Sequence, residues 1–424
     1  MPQSNELLHV QGAVLSAVKG LSENPAVARA LRVIVEEVPF AMEEQAQLCE
    51  IPAPTFHEGK RAEAMMEKLR AYGLSDIKRD AIGNVIARRP GSDPEAPVLA
   101  LVAHMDTVFP EGTDCTVKRE GLRFSAPGIG DNASGLRSLL QVLRAMTSAN
   151  IETVGDVLFV ADVQEEGAGD LNGSKALVDE MHLDGLIALD GSDVGRIQKG
   201  GTACRNWRFV ADGPGGHSWG AFGKVPSAVH AVARATAEIA DFSVPADPKT
   251  SFNVGMITGG SGATSFAEHC EAEVDFRSND ARELDPLEKR FFEAFERGVR
   301  AENERWGITD PEKMVRLSTV RTGDIPGGFA SDECPVIQAA GASQKVLGIA
   351  LTNYGFATTD ANPAFAKGIP ATCLGSGGVG TGAHSLAESY LMEDIHLGPQ
   401  LALLASLALV GVKGASEPML SKKA

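Results

Sequence analysis

The sequence predicts an α/β chain: a mostly parallel sheet covered by helices, interrupted by an inserted ferredoxin-like βαββαβ unit. Three observations predict it. Short apolar strand patterns alternate with amphipathic helix patterns through the first half. After about Lys199 the order becomes strand, helix, two strands, helix, strand, with an apolar alternation of its own. Past residue 323 the earlier style returns. The expected boundaries are therefore 1–199 and 324–424 for the larger domain and 200–323 for the insert, and a chain of 424 residues exceeds one ordinary core.

Each element follows from its local pattern. AEAMMEKLRAYG (62–73) has helical periodicity and stops at a glycine. NVIARRP (84–90) is a short strand, and VLALVAHMD (98–106) a longer, more buried one. SGLRSLLQVLRAM (134–146) is an amphipathic helix, followed by the apolar strands VLFVADV (157–163) and GLIALDG (185–191). In the insert, NWRFVADG, NVGMITGG, AEHCEAEVDFRS and KMVRLSTVRTG read as strands, and SAVHAVARATAEIADF and DPLEKRFFEAFERGVRAENERWG as helices. DECPVIQAAGASQKVLG, ALTNYGF, PAFAKG and GIPATCLGSG resume the first pattern. A terminal helix is expected from about Ser385, and the closing Lys422-Lys423 pair is expected to fray.

Composition narrows the function classes. The net charge of −17 disfavours nucleic acid and anionic membranes as partners. No apolar run is long enough to cross a bilayer, and the first twenty residues lack the pattern of a secretory leader. Six scattered cysteines without a Cys-x-x-Cys pair argue against a disulfide scaffold or a cysteine-zinc knuckle, so a cytoplasmic setting is expected.

Three apolar strands end in chemically competent residues. LALVAH runs into His104-Met-Asp106, LFVADV into Glu165-Glu166, and LIAL into Asp190. Ligands of an open parallel sheet bind at the carboxyl ends of its strands. GIGDNASG adds Asp131 before a helix, and GVGTGAHS adds His384. Taken singly, each residue has an ordinary alternative: a hydrogen-bonded His–Asp pair, a helix N-cap at Asp131, a turn residue at Asp190, a solvated glutamate pair. Together they are harder to explain so, because crowded carboxylates repel and raise one another's pKa unless a cation lies among them.

HMDTV, GIGDNASG, VQEEG, ALDG and GTGAHS, in that order around a βαββαβ insert, resemble the cocatalytic di-zinc metallopeptidase family of peptidase T, carboxypeptidase G, succinyl-diaminopimelate desuccinylase and aminoacylase. TTDANPAFAKGIPATCLGSGG resembles that family's C-terminal stretch. The resemblance implies a catalytic zinc-binding domain and an inserted lid and dimerisation domain that close on each other during turnover. It implies that Asp131 bridges two zinc ions, that His104 and Asp190 complete one ion's protein ligands, and that Glu166 and His384 complete the other's. Three ligand carboxylates and a bridging hydroxide then balance two zinc ions, for which cobalt or manganese could substitute. Asp106 would orient the His104 imidazole. Glu165 would be the general base toward the attacking water and would pass its proton to the leaving amine. His217, in ADGPGGHSWG, would donate to the oxyanion, although a Gly-rich loop with one histidine also reads as a plain hairpin. Arg277 would grip a substrate carboxylate, with Gly377 and Gly378 against the same group through backbone N–H. Thr264 stands where relatives carry asparagine. A cis peptide is implied after Asp131. The function implied is hydrolysis of an amide bond in small peptides, of aminopeptidase or di/tripeptidase type, ALDGSDVGRI leaning toward peptidase T. A carboxypeptidase or N-acyl-amino-acid amidohydrolase is the alternative. A non-catalytic metal-binding protein is opposed by the presence of Glu165, His217 and all five ligand positions.

Overall fold

A computed structural model describes residues 7–422. Lys423 lies outside them. Lys422 is held rather than frayed, its Nζ lying 3.2 Å from both Pro94 O and Glu95 Oε2.

Three helices open the chain: α1 (Gly12–Glu23), α2 (Pro25–Glu36) and α3 (Val38–Cys49). None was expected from the sequence. Prolines at the first turns of α2 and α3, which tolerate a missing N–H, and the Asn24 side chain accepting from Ala26 N mark their starts. There follow α4 (Gly59–Ala71), β1 (Asp76–Arg79), β2 (Val85–Arg89), β3 (Val98–His104), β4 (Lys118–Glu120), β5 (Arg123–Ser125), α5 (Ala133–Ser148), β6 (Asp156–Asp162), α6 (Asn172–Glu180), β7 (Gly185–Leu189) and β8 (Arg196–Gly201). The insert comprises β9 (Ala203–Asp212), β10 (Gly216–His217), α7 (Ala228–Ile239), β11 (Thr250–Gly259), β12 (Ser265–Phe266), β13 (His269–Ser278), α8 (Leu284–Arg305) and β14 (Arg316–Ile325). The chain ends with β15 (Gly328–Phe329), α9 (Pro335–Leu347), β16 (Asn353–Ala357), α10 (Asn362–Ala366), β17 (Ala371–Leu374), β18 (Val379–Thr381), β19 (Ser389–Leu391) and α11 (Leu397–Val410).

The terminal helix thus begins at Leu397, not near Ser385. Residues 382–388 form a turn, and Ser389–Leu391 joins a small sheet of order β18-β19-β5-β4 that the sequence reading did not contain.

Two compact units result, Met1–Gly201 with Gly328–Ala424 and Thr202–Gly327, against the expected divisions at 199/200 and 323/324. In the first unit the large sheet runs β1-β2-β6-β3-β7-β17-β8-β15, with β16 beside β8. β3 is parallel to both β6 and β7, and β7 to β17. Strand alternation divides the core in two. Leu99, Leu101 and Ala103 of β3 pack with residues of α5, α9 and α11, whereas Ala100 and Val102 pack with those of α6 and α10. α11 is almost wholly buried, which its uniformly apolar sequence LGPQLALLASLALV requires.

The second unit is a four-stranded antiparallel sheet, β11-β13-β9-β14, with α7 and α8 supplying its core around Phe209, Phe276, Phe291 and Phe295. Gly201 and Gly328, the residues flanking this unit, are direct antiparallel partners in β8 and β15. The chain therefore leaves the first unit and re-enters it at neighbouring positions. Among the described residues no helix is long and apolar enough to cross a membrane.

Candidate metal centre

β6, β3 and β7 are adjacent and in register, from Val98↔Asp156 to His104↔Asp162 and from Leu99↔Gly185 to Val102↔Ala188. Their carboxyl ends deliver His104, the Glu165-Glu166 pair and Asp190 to one edge of the sheet. The three strand-end motifs are thus neighbours in space as well as alike in pattern.

Asp131 reaches this edge from the loop before α5. It is not the helix cap. Asn132 takes that role, its Oδ1 accepting from Gly135 N at 2.9 Å while its Nδ2 donates to Leu189 O at 2.9 Å. The Asp131–Asn132 peptide is cis. The Asp131 carboxylate faces two ways: Oδ1 lies 3.1 Å from His104 Nε2, and Oδ2 lies 3.1 Å from His384 Nε2. Glu166 Oε1 is 3.1 Å from the same His384 nitrogen. One donor atom from each of His104, Asp131 and Glu166 lies within 4.8 Å of the others. Asp190, half-buried after β7, is anchored through its N–H to Leu374 O at 3.1 Å and through its carbonyl to Arg196 Nη2 at 2.5 Å.

Asp106 is fully buried and organises the rest. Its carbonyl lies 3.1 Å from His104 Nδ1, which directs Nε2 of that ring at Asp131. Its two carboxylate oxygens accept the backbone N–H groups of Glu165 and Glu166, each at 3.0 Å, and Oδ2 also accepts the Thr55 hydroxyl at 2.9 Å. One residue therefore sets the ring of the β3 histidine through its carbonyl and the backbone of the glutamate pair beyond β6 through its carboxylate.

The electrostatics are those of an acid cluster short of positive charge. Burial pushes Glu166 up to about 7, with the Asp131 carboxylate adding to it. Burial likewise raises Glu165, and Asp360, Glu166 and Asp190 raise it further. Asp190 is raised by burial and by Asp131. The imidazoles respond in the opposite sense. His384 is pushed up to about 9, first by its hydrogen bond to Asp131. At His104, burial would lower the pKa, but the bonds to Asp106 and Asp131 outweigh it and raise it well above the ordinary histidine value. Asp131 itself is lowered, burial being overcome by the two histidines. Carboxylates raised and imidazoles raised beside them are the mark of an acid cluster that a cation would neutralise. Two imidazoles and two carboxylates at this spacing, with Asp190 near enough for Asp131 to raise it, form the nitrogen and oxygen donor set that divalent zinc, cobalt or manganese takes, so the residues fit such ions.

Several residues that serve the edge were missed in the sequence. Glu388 accepts N–H bonds from the Asp131 loop. Glu58 accepts from Phe56 N and Gln164 N. Asp162 and Asp360 are buried together beneath His104 and Asp190. No spacing signal marks any of them; a lone glutamate in a polar loop reads as solvated.

Of the two C-terminal glycines, Gly377 has its N–H turned into the fold. Gly377 N–H donates to Ser192 O at 3.2 Å, and Ser376 N–H to Gly191 O at 2.8 Å, so the loop's amides at these two positions are occupied within the fold. Gly377 and Gly378 have φ of 79° and 80°, and a Cβ would meet Asp394 O at 2.9 Å or Tyr390 Cε1 at 2.5 Å. Backbone conformation and packing require glycine at both positions.

In the second unit His217 is exposed at the end of β10, which pairs with β12, and its Nδ1 accepts from Trp219 N at 3.2 Å. The Gly-rich loop is therefore not a plain hairpin, because β10 pairs with a strand almost fifty residues further along the chain and not with β9. Thr264 supports this turn through its carbonyl, 2.8 Å from Ser218 N. Arg277 lies on β13 with Nε 3.0 Å from Asp275 Oδ2, so one edge of its guanidinium already has a carboxylate partner.

The fold and this edge define an α/β protein with a candidate divalent-metal centre at the carboxyl ends of parallel strands. The profile of peptidase family M20/M25/M40 matches residues 100–408, and the chain belongs to that family. It is 33% identical over 138 residues to an N-carbamoyl-L-amino-acid amidohydrolase of Paenarthrobacter aurescens, covering 31% of this chain and 29% of that one. It is 30% identical over 175 residues to the cytosol non-specific dipeptidase of Escherichia coli, covering 37% and 34%. The aligned segments thus span about a third of those relatives' lengths. The structure of aminopeptidase PepT from Bacillus cereus superposes with a TM-score of 0.71 at 21% identity, over 86% of this chain and 96% of that one, a likeness of fold.

Proposed function

We propose that the protein is a metal-dependent hydrolase of amide bonds in small peptides, of aminopeptidase or di/tripeptidase type. The observation that carries this reading is the two-sided Asp131 carboxylate, one oxygen toward His104 and the other toward His384 and Glu166. Such a carboxylate is built to lie between two cations. His104 and Asp190 would hold one ion, Glu166 and His384 the other, with Asp131 shared. When bound, the ions polarise the scissile carbonyl and acidify water. Glu165, its pKa raised by burial, takes the proton from the attacking water and delivers it to the departing amine. Asp106 keeps Glu165 and Glu166 in fixed relation by accepting both their amides. His217 is proposed as the oxyanion donor and Arg277 as a carboxylate grip. Zinc is the proposed native metal.

A panel of free-amine di- and tripeptides, assayed with metal-stripped protein and with added zinc, cobalt or manganese, tests this. Turnover that depends on metal supports it; equal turnover in chelator overturns it. The match to the N-carbamoyl-L-amino-acid amidohydrolase favours including N-carbamoyl and N-acyl amino acids. Preference for these would replace the peptidase reading with the amidohydrolase one. The six cysteines are all free thiols, which suits a reducing, cytoplasmic compartment. We also propose a homodimer through the inserted unit, whose edge strand β11 exposes Met256 and Ile257.

A further inference from the structure

Glu388 is 2% exposed. Its Oε2 accepts Gly128 N–H at 2.7 Å, and its Oε1 accepts Gly130 N–H at 2.8 Å and Asp131 N–H at 3.0 Å. Among the described residues no Lys, Arg or His pairs with it, so a buried negative charge rests on three peptide N–H groups. The bonds to these amides oppose the rise that burial imposes on its pKa.

The Gly-rich turn before Asp131 is explained by this carboxylate. A Cβ on Gly130 would lie 2.9 Å from Glu388 Oε1 and 3.0 Å from Tyr390 Cδ2; a Cβ on Gly128, whose φ is 81°, would lie 2.8 Å from Thr107 Cγ2. Glycine lets the backbone come close enough for all three amides to reach one side chain. At its other end Glu388 belongs to the His384 turn. Ser385 N–H donates to Gly382 O at 3.1 Å, Glu388 N–H donates to Ser385 O at 3.1 Å, and His384 itself has φ of 62°. The loop that presents Asp131 and the loop that presents His384 are therefore one bracket with Glu388 as its pin. His104 and Asp190 lie outside that bracket, carried by the ends of β3 and β7.

We infer that Glu388 is a positioning residue that sets the spacing between Asp131 and His384, and so governs the affinity of the ion held on the His384 and Glu166 side. This rests on the proposed two-ion centre. Loss of a group that orients a ligand typically weakens metal binding by about 10- to 100-fold. Glu388→Gln keeps the size but opposes an amide NH₂ to at least one of the three N–H donors, and Glu388→Asp keeps the charge but falls one methylene short.

The test is a titration of metal-stripped protein with Zn²⁺ against a competing chelator, beside thermal unfolding of the metal-free forms. Wild type should take two ions. Both Glu388 variants should retain one at near wild-type affinity and bind the second about 10- to 100-fold more weakly. His384→Ala should lose that same ion, and adding Glu388→Gln to it should leave the affinity of the remaining ion unchanged. Two ions at wild-type affinity in both variants would overturn the inference while leaving the two-ion reading intact. Equal weakening of both ions, or failure of both variants to fold, would make Glu388 a general structural residue and overturn it too. Fewer than two ions in wild type would overturn the two-ion reading itself, and the inference with it.

Discussion

At the scale of single residues the centre is a set of groups whose charges are wrong without metal. His384 is pushed up to about 9, well above the ordinary histidine value, so the metal-free protein still carries that proton at pH 8. An ion can bind Nε2 only after the proton leaves. Loading at pH 8 should therefore release protons, and affinity should rise with pH toward 9, by ~10-fold per unit for each proton displaced. Below pH 7 Glu166 becomes a second protonated donor and affinity should fall more steeply. Calorimetric titration with zinc in two buffers of different ionisation enthalpy measures the release; none at pH 8 would contradict the proton on His384. Glu165→Gln should lower kcat by roughly 10²- to 10⁴-fold while bound metal stays at the wild-type level. Wild-type turnover in that variant would remove Glu165 from proton transfer.

Much of this residue chemistry was legible in the chain. His104, Glu165-Glu166 and Asp190 stand out because an apolar run breaks abruptly into acid or imidazole, and β3, β6 and β7 place those breaks side by side. Glu388 was not legible, since its role depends on a loop more than 250 residues earlier in the chain. Gly377 is ambiguous in the opposite sense: a glycine needed for positive φ looks the same in sequence as one that bares an N–H, and here its N–H donates to Ser192 O.

At the scale of elements, the centre is steadied by helices buried on nearly every face. α5 begins one residue after the Asp131–Asn132 peptide, and fourteen of its residues, Ala133 through Met146, are buried. Leu139→Ala should cost about 2–5 kcal/mol in denaturant unfolding, as large-to-small core substitutions do. A loss below 1 kcal/mol would show that the surroundings collapse readily onto the gap. The pattern at 134–146 disclosed this helix almost to its ends. The last helix was placed too early because Ser385 to Leu391 mixes apolar and small residues much as a helix start does. Its second half instead forms β19 against β5. α1 to α3 are not marked in the sequence by strand–helix alternation, since all three precede the first strand.

At the scale of the whole molecule, residues 202–327 form a unit with its own aromatic core and an exposed edge strand. If β11 carries the dimer, sedimentation of the intact chain should give a dimer, and charged substitutions at Met256 and Ile257 should give a monomer. A dimer unaffected by both would place the interface elsewhere.

Because Gly201 and Gly328 face each other across one antiparallel rung, excising 202–327 removes no strand from the large sheet, and a two-residue Asn-Gly turn is the natural closure for the gap. A trimmed polypeptide joined in this way should be a freestanding ion-binding scaffold. The same junction makes the insert exchangeable: a transplanted cassette should leave His104, Glu166 and Asp190 at their strand ends.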